Sequence, residues 1–164
     1  MKTGHPTVRE HEGQYELVLA GDRERTGSAA IVFTQHDVRE LQLGKAAIRG
    51  GIQTLLDLAD LNDEDITQVI IAGAFGSYLD VSSAVDIGML PALPLECFKQ
   101  VGNAAGMGAK RALISTEQRA EARTIAAEAR YVELAGTASF NENFVQALQL
   151  GRYRLIHGKR EEIL

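Results

Sequence analysis

The segment from Val69 to Asp80 constrains the fold of this chain more than any other stretch. It reads Val-Ile-Ile-Ala-Gly-Ala-Phe-Gly-Ser-Tyr-Leu-Asp. A short apolar run that ends in glycine predicts a buried strand of a parallel sheet. Gly73 and Gly76 bracket a tight turn that a backbone or ligand can approach closely. Open α/β sheets bind ligands where such strands end, so the segment predicts both a fold class and a nucleotide site.

Strand and helix patterns alternate along the chain, which predicts an α/β fold with a largely parallel sheet. The domain prediction is an N-terminal hairpin and linker at 1–30, a lobe at 31–150 and a charged tail at 151–164. The predicted strands are 8–10, 15–19, 31–33, 67–72, 98–101 and 131–134. The predicted helices are 37–61, 81–89, one that is entered at Gly102 and runs to about 114, 116–129 and 141–150. Thr34 with Asp37 predicts a capping box for the first helix, and Asp80 and Ser115 predict caps for the helices at 81–89 and 116–129.

Composition excludes several classes of function. The 164 residues carry a net charge of −5, no Trp and only 5% aromatic residues. Nucleic-acid binding usually needs a basic stripe or an aromatic stacking surface, and neither pattern is present. Cys97 is the one cysteine and by itself holds neither zinc nor an iron–sulfur cluster. No apolar run approaches the roughly 20 residues of a membrane span. We therefore expect a cytoplasmic protein without nucleic-acid or membrane partners.

A second glycine segment begins at Val101 and reads Val-Gly-Asn-Ala-Ala-Gly-Met-Gly-Ala-Lys. Its glycine spacing fits neither the P-loop nor the dinucleotide fingerprint. The pattern predicts a strand end, a turn at Gly102 and Asn103, and a helix with small residues in its first turns. The amides at such a helix start can bind an anion. Tight packing at Gly106 and Gly108 is an equally good interpretation.

The predicted long helix contains three glycines, Gly44, Gly50 and Gly51, although each costs roughly 1 kcal/mol in a helix interior. Close packing against a sheet or helix is the favoured interpretation, and approach of a ligand or partner is the alternative. Lys45 and Arg49 lie one turn apart beside this stretch. A solvated basic face is the favoured interpretation for them, and contact with phosphate or a partner is the alternative.

Four blocks in this order resemble the C-terminal domain of the reductive activators of corrinoid-dependent proteins. They are 34–49 (Thr-Gln-His-Asp-Val-Arg-Glu-Leu-Gln-Leu-Gly-Lys-Ala-Ala-Ile-Arg), 72–80 (Ala-Gly-Ala-Phe-Gly-Ser-Tyr-Leu-Asp), 87–91 (Ile-Gly-Met-Leu-Pro) and 101–106 (Val-Gly-Asn-Ala-Ala-Gly). Residues 131–135 and 140–145 extend the resemblance, which covers about 31–150. The family belongs to the acetate and sugar kinase, heat-shock chaperone and actin (ASKHA) superfamily. The resemblance thus implies a ribonuclease-H-like, actin-like ATPase lobe with a central mixed, largely parallel sheet flanked by helices.

The resemblance also implies a function. Gly73, Ala74, Phe75, Gly76 and Ser77 would form the adenosine-side turn of a nucleotide site, with Gly102, Asn103 and Gly106 nearby. In the complete protein the cofactors would be ATP with Mg²⁺ and a two-iron two-sulfur cluster. The cluster would lie in an N-terminal ferredoxin domain, which a middle domain follows. The partner would be a corrinoid protein, whose inactive cobalt(II) is restored to cobalt(I).

Two departures from the family limit what this chain does alone. It has no cysteine set for a cluster and no Asp-x-Gly-Thr hairpin for phosphate and Mg²⁺, since residues 22–27 do not match that motif. Half of a cleft cannot stabilise a phosphoryl group in transfer from both sides. We therefore expect a C-terminal fragment or a separately encoded lobe, without catalytic residues or metal ligands of its own, which hydrolyses ATP slowly or not at all.

Other functions remain open from the sequence. A non-catalytic module could bind a protein through the bare helix face at 44–51, and the same face could serve a homodimer. An activator of a radical dehydratase and a small-metabolite kinase are further alternatives within the superfamily.

Overall fold

The structure is a computed structural model, and it describes residues 7–21, 30–156 and 159–162. The chain divides into two compact units, 1–45 and 46–164. The described strands are β1 (Val8–His11), β2 (Gln14–Ala20), β3 (Ile31–Thr34), β4 (Val69–Ala72), β5 (Phe98–Gly102), β6 (Tyr153–Ile156) and β7 (Lys159–Glu162). The described helices are α1 (Gln35–Leu58), α2 (Ala74–Tyr78), α3 (Val81–Asp86), α4 (Ala104–Ile114), α5 (Thr116–Glu128) and α6 (Ala138–Gln146).

The first unit contains an antiparallel sheet in the order β1-β2-β3. The predicted hairpin is confirmed, with Val8 opposite Leu17 and His11 opposite Gln14. Glu12 and Gly13 have φ of 51° and 75°, the left-handed values that a tight two-residue hairpin turn requires. Residues 22–27, which do not match the Asp-x-Gly-Thr hairpin, lie between β2 and β3 in sequence and outside the described residues.

Helix α1 begins at the predicted capping box, two residues earlier than predicted. The Thr34 amide donates to Asp37 Oδ2 at 2.8 Å, and the Asp37 amide donates to Thr34 Oγ1 at 3.2 Å. These reciprocal bonds satisfy amides that have no partner within the helix. Hydrogen bonds from Thr34, first from its amide and then from its hydroxyl, lower the pKa of Asp37.

Helix α1 ends at Leu58 rather than at the predicted Leu61 because the chain turns left-handed at Asp60, where φ is 56°. The Leu61 amide donates to the Leu56 carbonyl at 2.9 Å, and the Asp60 amide donates to the Asp57 carbonyl at 3.2 Å. This is a Schellman motif, in which the last carbonyls of a helix are satisfied by the residues that follow it. Aspartate occupies the position where glycine is most common.

The second unit contains the parallel pair β4–β5, in which Val69 lies opposite Phe98 and Ala72 opposite Gly102. Helices α2, α3, α4, α5 and α6 follow or flank these strands in sequence. The α/β class is confirmed, with parallel pairing here and antiparallel pairing in β1-β2-β3. The boundaries at 30/31 and 150/151 stay predictions, although β2 pairs with β3 across the first of them.

One predicted strand is wrong. Residues 131–134 form no strand, and Tyr131 is 84% exposed there. A β-branched and aromatic sequence favours a strand only where a neighbouring strand accepts its hydrogen bonds. The last helix also differs, since α6 begins three residues early, at the cap where Thr137 Oγ1 accepts from the Phe140 amide. The predicted charged tail contains the hairpin β6–β7.

Two small apolar clusters form the core of the second unit. The larger one consists of Ala84, Val85, Met89 and Leu90, with partly buried side chains that include Ile52, Ile71, Leu79 and Phe98. This cluster lies where α1, α3, β4 and β5 meet. The smaller one pairs Ala46 with Ala147 and is flanked by Phe144 and Leu148. It joins α1 to the end of α6.

A polar core lies beside these clusters, and it consists of Arg49, Gln53, Thr54, Asp63 and Asn143. Arg49 Nη2 donates to Asp63 Oδ2 at 2.6 Å, and Arg49 Nη1 donates to Gln53 Oε1 at 3.3 Å. Asn143 Nδ2 donates to Thr54 Oγ1 at 3.1 Å. These bonds tie α1 to the turn at 63–65 and to α6. Buried polar groups are tolerated when they are hydrogen-bonded to one another in this way.

Candidate nucleotide-binding site

The two predicted glycine turns lie side by side. Strands β4 and β5 are parallel neighbours, so their carboxyl ends reach the same edge of the sheet. The Gly73 amide, just beyond β4, donates to the carbonyl of Gly102, the last residue of β5, at 2.6 Å. The structure therefore joins the two segments that the sequence singled out separately. Ligands of open α/β sheets bind at this kind of edge.

Both turns need glycine at their first position. Gly73 has a φ of 97°, and a Cβ built there meets nothing within 4 Å. Gly102 has a φ of 62°, and a Cβ there would lie 3.6 Å from Ser77 Oγ. Residues with a side chain rarely adopt such backbone angles. The side of Gly73 on which a Cβ would project is therefore open, and a ligand has room there.

The segment after Gly73 forms the one-turn helix α2 rather than a simple turn. Both the amide and the Oγ of Ser77 donate to the Gly73 carbonyl at 3.3 Å. A Cβ on Gly76 would lie 2.6 Å from Ile71 Cγ2, a distance that packed atoms do not adopt. Gly76 is therefore the residue that lets α2 pack directly onto β4. Ala74 and Phe75 belong to the same turn of helix.

Gln100 in β5 holds the other end of α2. Its Nε2 donates to the carbonyls of Gly76 and Leu79, the latter at 2.8 Å. These are carbonyls at the C-terminal end of a short helix, where no amide within the helix is available to them. Sequence analysis did not single out Gln100. The available signal was a long amide side chain one residue before the end of the strand predicted at 98–101.

Asn103 and Gly106 organise the start of α4. Asn103 Oδ1 accepts from the Gly106 amide at 2.9 Å, which makes Asn103 the cap of α4. A Cβ on Gly106 would lie 2.6 Å from Asn103 Nδ2, so any side chain at 106 would displace this cap. This close contact explains Gly106, for which packing is one of the two predicted interpretations. The same interpretation is wrong for Gly108, where a Cβ would meet nothing within 4 Å. The cap leaves Asn103 beside Gly102 at the edge of the sheet.

Asp80 caps α3, as predicted, and its Oδ1 accepts from the Ser83 amide at 2.7 Å. Hydrogen bonds from Ser83 lower the pKa of Asp80. The carboxylate is thus ionised at neutral pH, where it also complements the positive end of the helix dipole. Its position follows the α2 segment directly.

The prediction of a solvated basic face at Lys45 and Arg49 is wrong. The two residues are 1% and 0% exposed, respectively. Arg49 forms the buried ion pair with Asp63 described above. A lysine or arginine reaches this degree of burial almost only when it is paired, and a sequence alone does not reveal the pairing. In this conformation neither side chain faces solvent, where a phosphate or partner would meet it.

The glycine-rich face of α1 is used for packing, which confirms the favoured interpretation. A Cβ on Gly50 would lie 3.0 Å from the backbone nitrogen of Phe144, and one on Gly51 would lie 3.5 Å from Leu134 Cδ1. Helix α6 thus covers α1 at Gly50. Gly44 differs, since a Cβ there meets nothing within 4 Å.

In residues 7–21, 30–156 and 159–162 no three histidine, cysteine, aspartate or glutamate side chains are placed to hold a metal ion. Within the same part of the chain, no helix has the length and apolar character to cross a bilayer.

Comparison with known proteins identifies the family. The model of the "C-terminal domain of RACo the ASKHA domain" matches residues 1–157. This chain belongs to the RACo C-terminal ASKHA domain family. The membership confirms the resemblance that the four sequence blocks indicate, and it confirms the α/β fold of that superfamily.

Two relatives agree with this assignment. The ASKHA domain is 34% identical over 151 residues to the corrinoid activation enzyme RamQ of Eubacterium limosum, and the match covers 92% of this chain and 25% of RamQ. A solved structure, the "Reductive activator for corrinoid,iron-sulfur protein", matches with a TM-score of 0.75 and 40% identity. That match covers 88% of this chain and 23% of the other. The chain therefore spans about a quarter of the length of the proteins it matches.

Proposed function

We propose that this ASKHA domain forms the adenosine-side wall of the nucleotide cleft in an ATP-dependent reductive activator of a corrinoid protein. The observation that carries the proposal is the direct hydrogen bond between Gly73 and Gly102, which places both glycine turns at one edge of a parallel sheet. The names of the relatives support corrinoid activation over activation of a radical dehydratase or a metabolite kinase.

The geometry suits a nucleotide for a physical reason. The open space beside Gly73 leaves room for a ligand to lie close to the main chain, as glycine turns at nucleotide sites do. Gly102 and Asn103 lie beside it and lead into α4, whose first amides favour negative charge. Ser77 adds an exposed side chain near both turns.

The remaining parts of the activator would supply the chemistry. ATP with Mg²⁺ would bind in the complete cleft, and its hydrolysis to ADP and phosphate would drive the transfer of one electron. The two-iron two-sulfur cluster of the ferredoxin domain would supply that electron when reduced, and the cobalt(II) of the corrinoid substrate would be restored to cobalt(I). This chemistry suits the reducing cytoplasm, where the single Cys97 would stay a thiol.

An NMR titration with ATP tests the nucleotide site, because amide shifts detect the weak binding expected of half a cleft. We expect ATP at millimolar concentration to shift the amides of 73–77 and 102–106 in the 164-residue chain. Gly73→Ala should weaken binding, since it places a Cβ in the open space and strains the backbone at φ 97°. Gly108→Ala is the matched control, because a Cβ there meets nothing within 4 Å. Shifts confined to other residues would refute the proposal.

A second titration tests the partner. When its cobalt is paramagnetic cobalt(II), the corrinoid protein should broaden amide signals of the ASKHA domain. When its cobalt is diamagnetic cobalt(III), the corrinoid protein bound at the same surface should leave those signals sharp. The absence of any shift or broadening with either form would contradict docking by this domain. Sedimentation of the chain alone tests whether it forms a homodimer, an alternative that the sequence leaves open.

A further inference from the structure

The geometry points to Gln100 as a positioning residue for the candidate nucleotide site, in which its side-chain amide fixes helix α2 against β5. The inference rests on the proposed function, because α2 contains four of the five residues of the adenosine-side turn. It goes beyond the glycine turns, since Gln100 lies within a strand and acts through the backbone of α2.

The two hydrogen bonds of Gln100 use its full donor capacity. A carboxamide has two N–H groups, and here both point to carbonyl oxygens, those of Gly76 and Leu79. The partners are 24 and 21 residues away in sequence, so the bonds are tertiary. They hold the end of a helix that has only five residues and cannot be stable by itself.

Helix α2 is fixed at three points. Ser77 bonds to the Gly73 carbonyl at its start, Gly76 lies against Ile71 in the middle, and Gln100 holds its end. Without the third, the C-terminal carbonyls of α2 would lose their protein donors, and the turn would lose its fixed orientation. Because binding depends on such orientation, Gln100 should set nucleotide affinity more than global stability.

Substitutions that differ in hydrogen-bond donors separate this role from packing. Gln100→Glu keeps the shape of the side chain but removes both donors and places a carboxylate against two carbonyls. Gln100→Lys changes the shape but keeps a group with three donors. Gln68→Glu is the matched control for charge, since Gln68 is exposed and lies just before β4, at the opposite end of that strand from Gly73.

The experiment measures the ATP dissociation constant by NMR titration and the melting temperature of each variant of the chain. We expect Gln100→Glu to weaken ATP binding about tenfold, from the loss of two hydrogen bonds. Gln100→Lys should stay within about threefold of the unsubstituted chain, and Gln68→Glu should be unchanged. The melting temperatures of Gln100→Lys and Gln68→Glu should match that of the unsubstituted chain.

The outcomes distinguish the two proposals. If the unsubstituted chain does not bind ATP at the glycine turns, the proposed function fails, and this inference fails with it. If that chain binds ATP and Gln100→Glu binds equally well, only the positioning role of Gln100 is refuted. Equal loss of affinity in Gln100→Lys and Gln100→Glu would also refute it, because donor capacity would then be irrelevant. If Gln100→Glu does not fold, the affinity of Gln100→Lys against Gln100→Met decides between donation and packing.

Discussion

Substitution by alanine should change the stability of the chain differently at the three glycines of helix α1, with a gain at Gly44 and a loss at Gly50. At Gly44 a Cβ would enter open space, whereas at Gly50 it would lie 3.0 Å from the Phe144 nitrogen, 3.1 Å from the Phe144 Cα and 3.3 Å from the Asn143 carbonyl carbon. At Gly51 the nearest atom is the end of the Leu134 side chain at 3.5 Å, an ordinary contact distance. The difference between the sites is therefore one of packing, since helix propensity is common to all three.

The magnitudes follow from two opposing terms. Replacing glycine by alanine inside a helix stabilises it by roughly 0.5–1 kcal/mol, and Gly44→Ala should show this gain. Overpacking costs roughly 1–3 kcal/mol, and the cost at Gly50 lies in the upper half of that range because the obstructing atoms belong to a backbone. The net loss in the free energy of unfolding for Gly50→Ala is about 1–2.5 kcal/mol. Gly51→Ala should be neutral or slightly stabilising.

Urea denaturation of the three variants, followed by circular dichroism, measures these differences. Since the chain has two compact units, tyrosine fluorescence should be recorded in parallel to test whether unfolding is one transition. The expected order of stability is Gly44→Ala above the unsubstituted chain and Gly50→Ala below it. If Gly50→Ala were as stable as Gly44→Ala, the packing of α6 onto α1 would be refuted.

Three further predictions concern charged residues. Arg49→Met should lower the free energy of unfolding by about 3–5 kcal/mol in urea denaturation, because it leaves the Asp63 carboxylate buried without its ion-pair partner. Asp60→Gly should raise it by about 0.5–1 kcal/mol, since glycine adopts the left-handed cap without strain but loses more backbone entropy on folding. Asp37→Asn should reduce the loss of stability on acidification. The capping bonds to Thr34 lower the pKa of Asp37 in the folded chain. The carboxylate therefore contributes to the free energy of unfolding above about pH 4, and this contribution is lost as the pH falls through the lower pKa of the folded chain.

Each of these has a contradicting result. If Arg49→Met were as stable as the unsubstituted chain, the buried carboxylate of Asp63 would not depend on its ion pair with Arg49. Arg9→Met provides a control, because it removes a half-exposed ion pair. A loss of stability in Asp60→Gly would contradict the assignment of the left-handed cap. An unchanged acid profile in Asp37→Asn, measured as the urea midpoint against pH, would mean that the capping carboxylate contributes nothing to folding.

Local signals in the sequence predicted most helix starts and the strands next to them. The capping box at Thr34 and the caps at Asp80 and Ser115 are all present, with the Gln118 amide donating to Ser115 Oγ at 3.2 Å. Such caps are predictable because the residue that caps and the amide it satisfies lie within three positions of each other. The apolar run before Gly73 predicted β4 for a similar reason.

Predictions failed where a distant residue decides the outcome. Residues 131–134 have the composition of a strand, but no neighbouring strand in the described part of the chain pairs with them. Arg49 has the sequence context of a surface residue, and its partner Asp63 is fourteen positions away. The sequence predicts the end of α1 at Leu61 rather than Leu58, because Asp60, not glycine, adopts the left-handed conformation there.

Local sequence patterns predict the parts of the candidate site: two glycine turns that follow strands, the caps beside them, and blocks specific enough to indicate the family. The way in which these parts meet follows from the fold. Parallel pairing brings Gly73 to Gly102, and Gln100 in the neighbouring strand holds α2. The fold also buries Lys45 and Arg49. Glycine angles and caps depend on residues that are neighbours along the chain, so the sequence predicts them. Strand pairing, burial and ion pairs depend on residues far apart in sequence, which only folding brings together.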